Sequence, residues 1–570
     1  MSRATPVSED VARLRGARVA RSCRAHARPY RSPQSRLRLI ARRGSTKNEA
    51  GSSTVIEDHA IDGLRMAMSY GTRVFWKGTT AMGELCSRFV RPIRPLCAGL
   101  LATIGLVTGC IADDDLATGE SRGEVQPAVH VDPRRSLVVT EQAILARFPL
   151  QRVLDQLVAQ SGVAGLDARG LFHQWWDTQN PGPGLGAGPH CNDVVADVLG
   201  PVLNGFPYPC RAEGALAAVD PFINAGTNPD EYIPIALFNR FDLTPGDASN
   251  CGEYRIVYAR RAGQSNTAQR NLIIFEMALA NPHPQQELKG CRKIVDFWAG
   301  LTDQNDVTAR ADALEQFYFT GIPSIDPVVS VDHLGGGPTG AGQIRTNQFI
   351  QETVTPRIWD LREFKLRRTC SGTTCTAMTV VPVTVKTNPF GGLFRADSPD
   401  ARAPAFQAAF LDQVPALAAS DLASIDFAIS DTFNAAQSPS SGTENNYVTQ
   451  LAASPGGFRD QIAARLAAIG SALTPEDVVA RAQALSCAGC HRLDNNLAIG
   501  GGLVWPASAG FVHVSERDTE TVDGQPRFVI SPALVNAFLP KRQQVMEDYL
   551  NDKLKKPKNP ADPIGGRRVH

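Results

Sequence analysis

Residues 232–243 read YIPIALFNRFDL, residues 253–261 read EYRIVYARR and residues 270–279 read RNLIIFEMAL. Each run is short, β-branched and aromatic. Clusters such as TPGDASNCG (244–252) separate them. Runs of this kind between Gly, Pro, Asn and Asp predict strands. A second group follows in GQIRTNQFIQ (342–351), RIWDLREFKLRR (357–368) and MTVVPVTVKT (378–387). In WDLREFKL, Trp359, Leu361, Glu363 and Lys365 fall on one face, and Asp360, Arg362, Phe364 and Leu366 on the other. That mixed pattern implies that neither face is cleanly buried.

Helical spacing surrounds this β-rich centre. On the N-terminal side it appears in EQAILARFPLQRVLDQLVAQ (141–160), in Leu171–Trp176 and across Asp193–Leu203. It returns in CRKIVDFWAGL (291–301) and VTARADALEQFYFTG (307–321). From about 398 the chain is Ala-rich, with helices expected in AFQAAFLDQVPALAA, GFRDQIAARLAAIG and TPEDVVARAQAL. Thr474-Pro475-Glu476-Asp477 is a helix start: an N-cap, a proline at the first helical position and two acids. A hairpin is expected around Asp523-Gly524, then a last helix from Ser531-Pro532. The tail 553–570 reads as disordered. The resulting expectation is an α+β fold: a helical N-terminal part, a β-rich central region and a mainly helical C-terminal module. The α+β domain would span 136–397 and the helical module 398–552.

The net charge of +1 shows no basic excess that would point to nucleic acid. Twelve arginines do crowd residues 1–44. Residues 82–115 read MGELCSRFVRPIRPLCAGLLATIGLVTGCIADDD. Arg88, Arg91 and Arg94 precede an apolar run from Leu96 to Gly109. The run is shorter than the ~20 residues that span a bilayer, and it has the form of a signal-peptide core. It ends in Leu106-Val107-Thr108-Gly109-Cys110, which resembles the lipobox of bacterial lipoproteins. The resemblance implies that 82–109 is a signal peptide, that Cys110 is lipidated and that 110–135 is a polar tether. Translation is then expected to begin at Met82, Met66 or Met68, leaving residues 1–81 a non-native or disordered extension.

Nine cysteines stand from Cys110 onward. Cys487 and Cys490 belong to a motif described below. The six others are an even set, as suits an oxidising compartment. Fifteen pairings are open in principle. The local choice is Cys191–Cys210, Cys251–Cys291 and Cys370–Cys375.

The strongest chemical signal is Ser486-Cys487-Ala488-Gly489-Cys490-His491. C-x-x-C-H is the attachment pattern of c-type haem. Two thiols three positions apart can form thioethers with the two vinyl groups, and the adjacent imidazole can ligate iron. Small residues at 488 and 489 allow close approach to a porphyrin edge. A zinc site would need a second ligand pair nearby. A disulfide between Cys487 and Cys490 stays open. For a sixth ligand the candidates after the motif are His513 and Met546, with His513 preferred.

Weaker groupings are the Gly335–Gly342 loop, which lacks the ending of a P-loop, and Asp242, Asp247 and Glu253, a calcium candidate more simply read as a solvated turn. His173 with Trp175 and Trp176 reads as a core helix face. No Ser-His-Asp or G-x-S-x-G signature appears. FNRFDLTP with CGEYRIVYAR, NPFGGLF and SCAGCHRLDNN with IGGGLVWP together resemble an uncharacterised family of large exported bacterial lipoproteins with a C-terminal c-type cytochrome-like CxxCH motif. That resemblance implies export and one covalent haem c, making 398–552 a cytochrome c-like module. It implies no particular reaction. The expected protein is exported and lipid-anchored on the periplasmic or cell-surface side of a bacterial membrane, the outer rather than the inner one, and has a redox or electron-transfer role with a redox partner protein. The alternatives are a non-enzymatic binding lipoprotein and a haem peroxidase or sensor.

Overall fold

The computed structural model describes residues 128–566, apart from 183–189, 194–195, 198–199, 212–214, 338 and 350–357. The lipobox with Cys110 and the extension before it lie outside the described residues. Twelve strands run in chain order: β1 Val138–Val139, β2 Ala196–Asp197, β3 Gly200–Leu203, β4 Phe206–Pro207, β5 Tyr232–Arg240 and β6 Asn250–Arg260, then β7 Asn271–Ala280, β8 Gln343–Phe349, β9 Trp359–Ser371, β10 Thr374–Val383, β11 Val514–Val522 and β12 Gln525–Ile530. Seven of them form one antiparallel sheet in the order β1-β5-β6-β7-β8-β9-β10. With its flanking helices this makes an α+β fold.

Register explains the layers. Leu237, Ile256, Phe275, Ile344 and Phe364 are successive cross-strand partners, and all are buried. This apolar face packs on helices. Trp175, in helix Ala168–Asp177, sets its ring edge-on to Phe275 at 5.7 Å and to Phe364 at 6.2 Å. Trp298, in helix Arg292–Gly300, stacks on Tyr254 at 5.8 Å. One apolar core runs from Val131 to Ile564, so residues on both sides of 397 share it.

The opposite face is charged. Phe238, Arg255, Glu276 and Gln343 form one cross-strand row, and Val257, Ile274, Arg345 and Glu363 form the next. These charges are buried yet paired: Arg255 Nη1–Glu276 Oε1 is 3.0 Å and Arg345 Nη2–Glu363 Oε1 is 2.6 Å. Burying charge without a partner costs several kcal/mol, so the pairing is what makes the face tenable. His491, His513, Leu534 and Arg542 from the C-terminal segments face Arg255, Arg345 and Asn347 of this face across one cavity. WDLREFKL is therefore buried on both sides, Lys365 alone being half-buried. Its mixed pattern marks paired charges inside the protein rather than exposure.

Two further expectations are corrected. The described part of Asp193–Leu203 is strand, not helix: Pro201 cannot donate to a helix ladder, and Gly200 sits at φ 113°. Asn204-Gly205 then forms the two-residue turn that pairs Leu203 with Phe206. Residues 553–566 are placed rather than disordered. Thr244 and Asp242 carbonyls accept from the backbone of Ile564 and Gly565, both at 2.9 Å, and Ile564 is buried. This tail has no hydrophobic period because backbone pairing, not a packed face, holds it.

The three disulfides are Cys191–Cys210, Cys251–Cys291 and Cys370–Cys375, the local pairing. Among the described residues no helix is long and apolar enough to cross a membrane.

Candidate functional site

Helix Pro475–Ala484 opens with a capping box: Thr474 Oγ1 accepts from Asp477 N at 3.1 Å, and Asp477 Oδ2 accepts from Thr474 N at 2.8 Å. The helix leads into the cysteine motif. Cys487 N donates to Asn388 Oδ1 at 3.2 Å and Ala488 N to Ser438 Oγ at 3.0 Å. A π-helical turn, Gly489–Leu493, completes it. A Cβ at Gly489 would lie 1.8 Å from the Gln483 carbonyl oxygen. The glycine is thus required by its own helix end.

Cys487 and Cys490 are buried free thiols. Cys487 packs with Leu361 and Val385. Burial pushes its thiol up to about 12 and holds Cys490 well above the ordinary range. Neither is a thiolate in this fold, and the thiol form is a weak nucleophile.

His491 Nδ1 lies 2.6 Å from the Phe511 carbonyl oxygen. A carbonyl only accepts, so Nδ1 carries the proton and Nε2 keeps its lone pair. Asn347 Nδ2 approaches that Nε2 at 3.4 Å. Burial lowers the imidazole to about 4, so it is neutral at pH 7. Ser508 Oγ also donates to the His491 carbonyl at 2.7 Å, fixing the loop. His513 stands beside it, the ring centroids 4.4 Å apart. His513 Nδ1 is 2.8 Å from Ser531 Oγ, and its Nε2 is 3.3 Å from Cys490 Sγ.

Both histidines line a small cavity of about 60 Å3 between the charged sheet face and the C-terminal segments. Val257, Leu272, Ile274 and Leu534 give it apolar walls, and Arg255, Arg345 and Arg542 give it guanidinium groups. Two thiols with an adjacent imidazole are the residue types that hold a covalent haem, but neither cysteine lines this cavity and about 60 Å3 does not admit a porphyrin, so the site as folded has no room for the group. His491 Nε2 faces Asn347 and His513 Nε2 faces Cys490, so the two nitrogens have different partners. Met546 is buried in the core, its sulfur 3.6 Å from Asn239 Nδ2.

Asp242, Asp247 and Glu253 are not brought together as a cation site. Asp242 binds Arg240 at 2.9 Å, Glu253 binds Arg255 at 2.6 Å, and Asp247 Oδ1 accepts from Ser249 N at 2.9 Å. Among the described residues no cluster of three or more His, Cys, Asp or Glu could hold a bare metal ion. His173 Nε2 bonds the Val219 carbonyl at 2.6 Å, and Trp175 and Trp176 are buried beside it.

Sequence reasoning did not find Arg255, Arg345, Asn347, Arg542 or the Phe511 carbonyl. The signal was present for the strand residues, since polar positions recur at alternate sites in Glu253 and Arg255 of β6 and in Gln343, Arg345 and Asn347 of β8. Only the register shows that they converge. No family model, curated protein or solved structure matches this chain.

Proposed function

We propose that this chain is an exported, lipid-anchored protein carrying one covalent haem c, with a redox role. Cys487 and Cys490 would hold the group by two thioethers, each thiol hydrogen passing to the former vinyl carbon. His491 Nε2 would be its axial ligand. Bound there, haem supplies a one-electron carrier. Cys110 would carry the lipid, and a redox protein outside the membrane would be the partner.

One observation carries this reading. His491 is fixed through Nδ1, with its lone-pair nitrogen toward Asn347 on a cavity with apolar walls and three arginines, and two unpaired thiols precede it in the chain. The Nδ1 bond selects the tautomer and sets the ring plane, the task of an outer partner at a ligating histidine. Arg255 and Arg345 keep positive charge at the cavity while their own carboxylate partners prevent an unpaired buried charge. His513 would have to leave Ser531 and Cys490 to become a second ligand.

Haem staining after SDS denaturation tests the reading, because thioether haem survives it. Stain in the wild type and none in a Cys487→Ser/Cys490→Ser variant supports it. A wild type without stain leaves a binding lipoprotein. With haem present, a low-spin spectrum indicates two strong axial ligands and electron transfer; a high-spin one indicates an open face and ligand chemistry.

A further inference from the structure

Among the described residues, no carboxylate lines the small cavity beside His491. Three guanidinium groups do. Arg255 reaches it from β6, Arg345 from β8 and Arg542 from the last helix, Leu539–Leu550. Glu276 and Glu363, which pair with Arg255 and Arg345, are not part of its lining. Arg542 lies over aromatic rings, 5.9 Å from the Phe238 centroid and 5.6 Å from that of Phe538. Every lining residue except Ile274 and His513 is buried.

We propose that this cavity binds one small monovalent anion, a halide or a planar anion such as formate or nitrite, between the guanidinium groups of Arg255, Arg345 and Arg542. The site belongs to the haem-free fold and does not rest on the haem reading above.

Size, charge and an orphan donor all favour such a ligand. The volume of about 60 Å3 matches about two waters of the liquid, at roughly 30 Å3 each. A halide or formate fits in that space and a large organic anion does not. Three like charges converge there, and in a buried space their repulsion is several times that in water. An anion between them replaces repulsion by attraction and accepts charge-assisted hydrogen bonds, roughly twice as strong as neutral ones. Water offers an acceptor but no charge. Arg345 donates from Nη2 to Glu363 at 2.6 Å, yet its buried Nε–H has no hydrogen-bond partner. A buried donor left so costs free energy that an acceptor in the cavity recovers.

The neighbouring side chains agree. Burial lowers both imidazoles; Arg345 adds to this at His491, and His491 with Arg542 adds to it at His513. The guanidinium charges therefore act on the cavity's own lining. The lone pair of His491 Nε2 meets Asn347 Nδ2 at 3.4 Å, which limits its opposition to an anion. Val257, Leu272, Ile274 and Leu534 cannot hydrate an ion. They select a weakly hydrated monovalent anion over sulfate or phosphate, whose second charge they would leave unsolvated.

Chloride NMR linewidths and urea unfolding of the haem-free full chain test this. Two variants accompany the wild type: Arg542→Gln removes one charge, and Leu534→Phe fills the cavity while keeping all three. The wild type should broaden the chloride line, and both variants should lose the broadening. Urea midpoints are compared in potassium chloride and in potassium gluconate of equal concentration, gluconate being too large to enter. The folded-to-unfolded ratio should rise about elevenfold when chloride reaches ten times its Kd, in the wild type only. Absence of broadening by the wild type, equal midpoints in the two salts, or an effect retained in Leu534→Phe overturns the proposal. If Arg542→Gln does not fold, Leu534→Phe still decides. Haem staining of exported protein judges the haem reading separately.

Discussion

His491 donates from Nδ1 to the carbonyl oxygen of Phe511 at 2.6 Å, across 20 residues of chain. That bond decides which ring nitrogen is protonated, and so which is able to bind anything. It also ties the cysteine motif to the loop before β11. Phe511 sits at φ 71°, a conformation that is costly for a bulky residue and that the surrounding contacts enforce.

Acid should weaken the haem-free fold through this histidine. Burial, against the Phe511 bond, brings its pKa to about 4, whereas the ordinary value is 6.5. The unfolded chain therefore takes the proton first as pH falls. Stability is full above about 6.5 and is lost on the way to about 4, by roughly 3 kcal/mol. Urea midpoints between pH 7.5 and 4.5 should fall less steeply in His491→Gln than in wild type. Parallel curves would remove His491 as the cause.

Asp494 should act in the opposite sense. Burial raises its carboxyl to about 7, Gln483 opposing through a 3.1 Å bond, and its Oδ2 has no hydrogen-bond partner. A raised carboxyl stabilises fully below the unfolded pKa near 3.8, and that stability is lost as pH rises through 7. Asp494→Asn is expected to gain about 2 kcal/mol at pH 8 and nothing at pH 4. A gain that is the same at both values would mean that ionisation is not involved.

The disulfides should differ in weight with the loop each closes. Cys251–Cys291 spans 40 residues and Cys370–Cys375 only 5. Chain-entropy reasoning gives about 4 kcal/mol for the first and about 2 for the second. Thermal unfolding of the two Cys→Ala pairs should rank them in that order. A larger loss at 370–375 would contradict it.

Haem attachment should require an unfolded chain. Both thiols are buried and held above their ordinary range, so in the folded protein they are poor nucleophiles. Folded, haem-free protein given haem under reducing conditions is expected to form no thioether, whereas chain matured during export does. Efficient attachment to the folded form would show that the motif opens readily.

Much of the architecture is legible where local rules and tertiary context agree. The strands around Tyr232, Tyr254 and Phe275 are β-branched, aromatic and set between turn residues. Thr474 to Asp477 announces its own helix. The failures came where a local cue competed with something distant. Asp193–Leu203 carries helix-like spacing, but Pro201 and the Asn204-Gly205 turn prevail. The tail is held by backbone bonds to Asp242 and Thr244, which leave no trace in composition. At the site, Cys487, Cys490 and His491 are a contiguous word and were readable. Arg345 and Glu363 become neighbours only through register, and His513 meets His491 only when the hairpin packs.

The intact mass of protein matured in a haem-competent periplasm, measured with its absorption spectrum, bears most directly on the central claim. Haem c on Cys487 and Cys490 requires the mass of the acylated polypeptide plus one haem, together with a Soret band. The bare acylated mass without a Soret band, whether as two thiols or as a disulfide two hydrogens lighter, would contradict it.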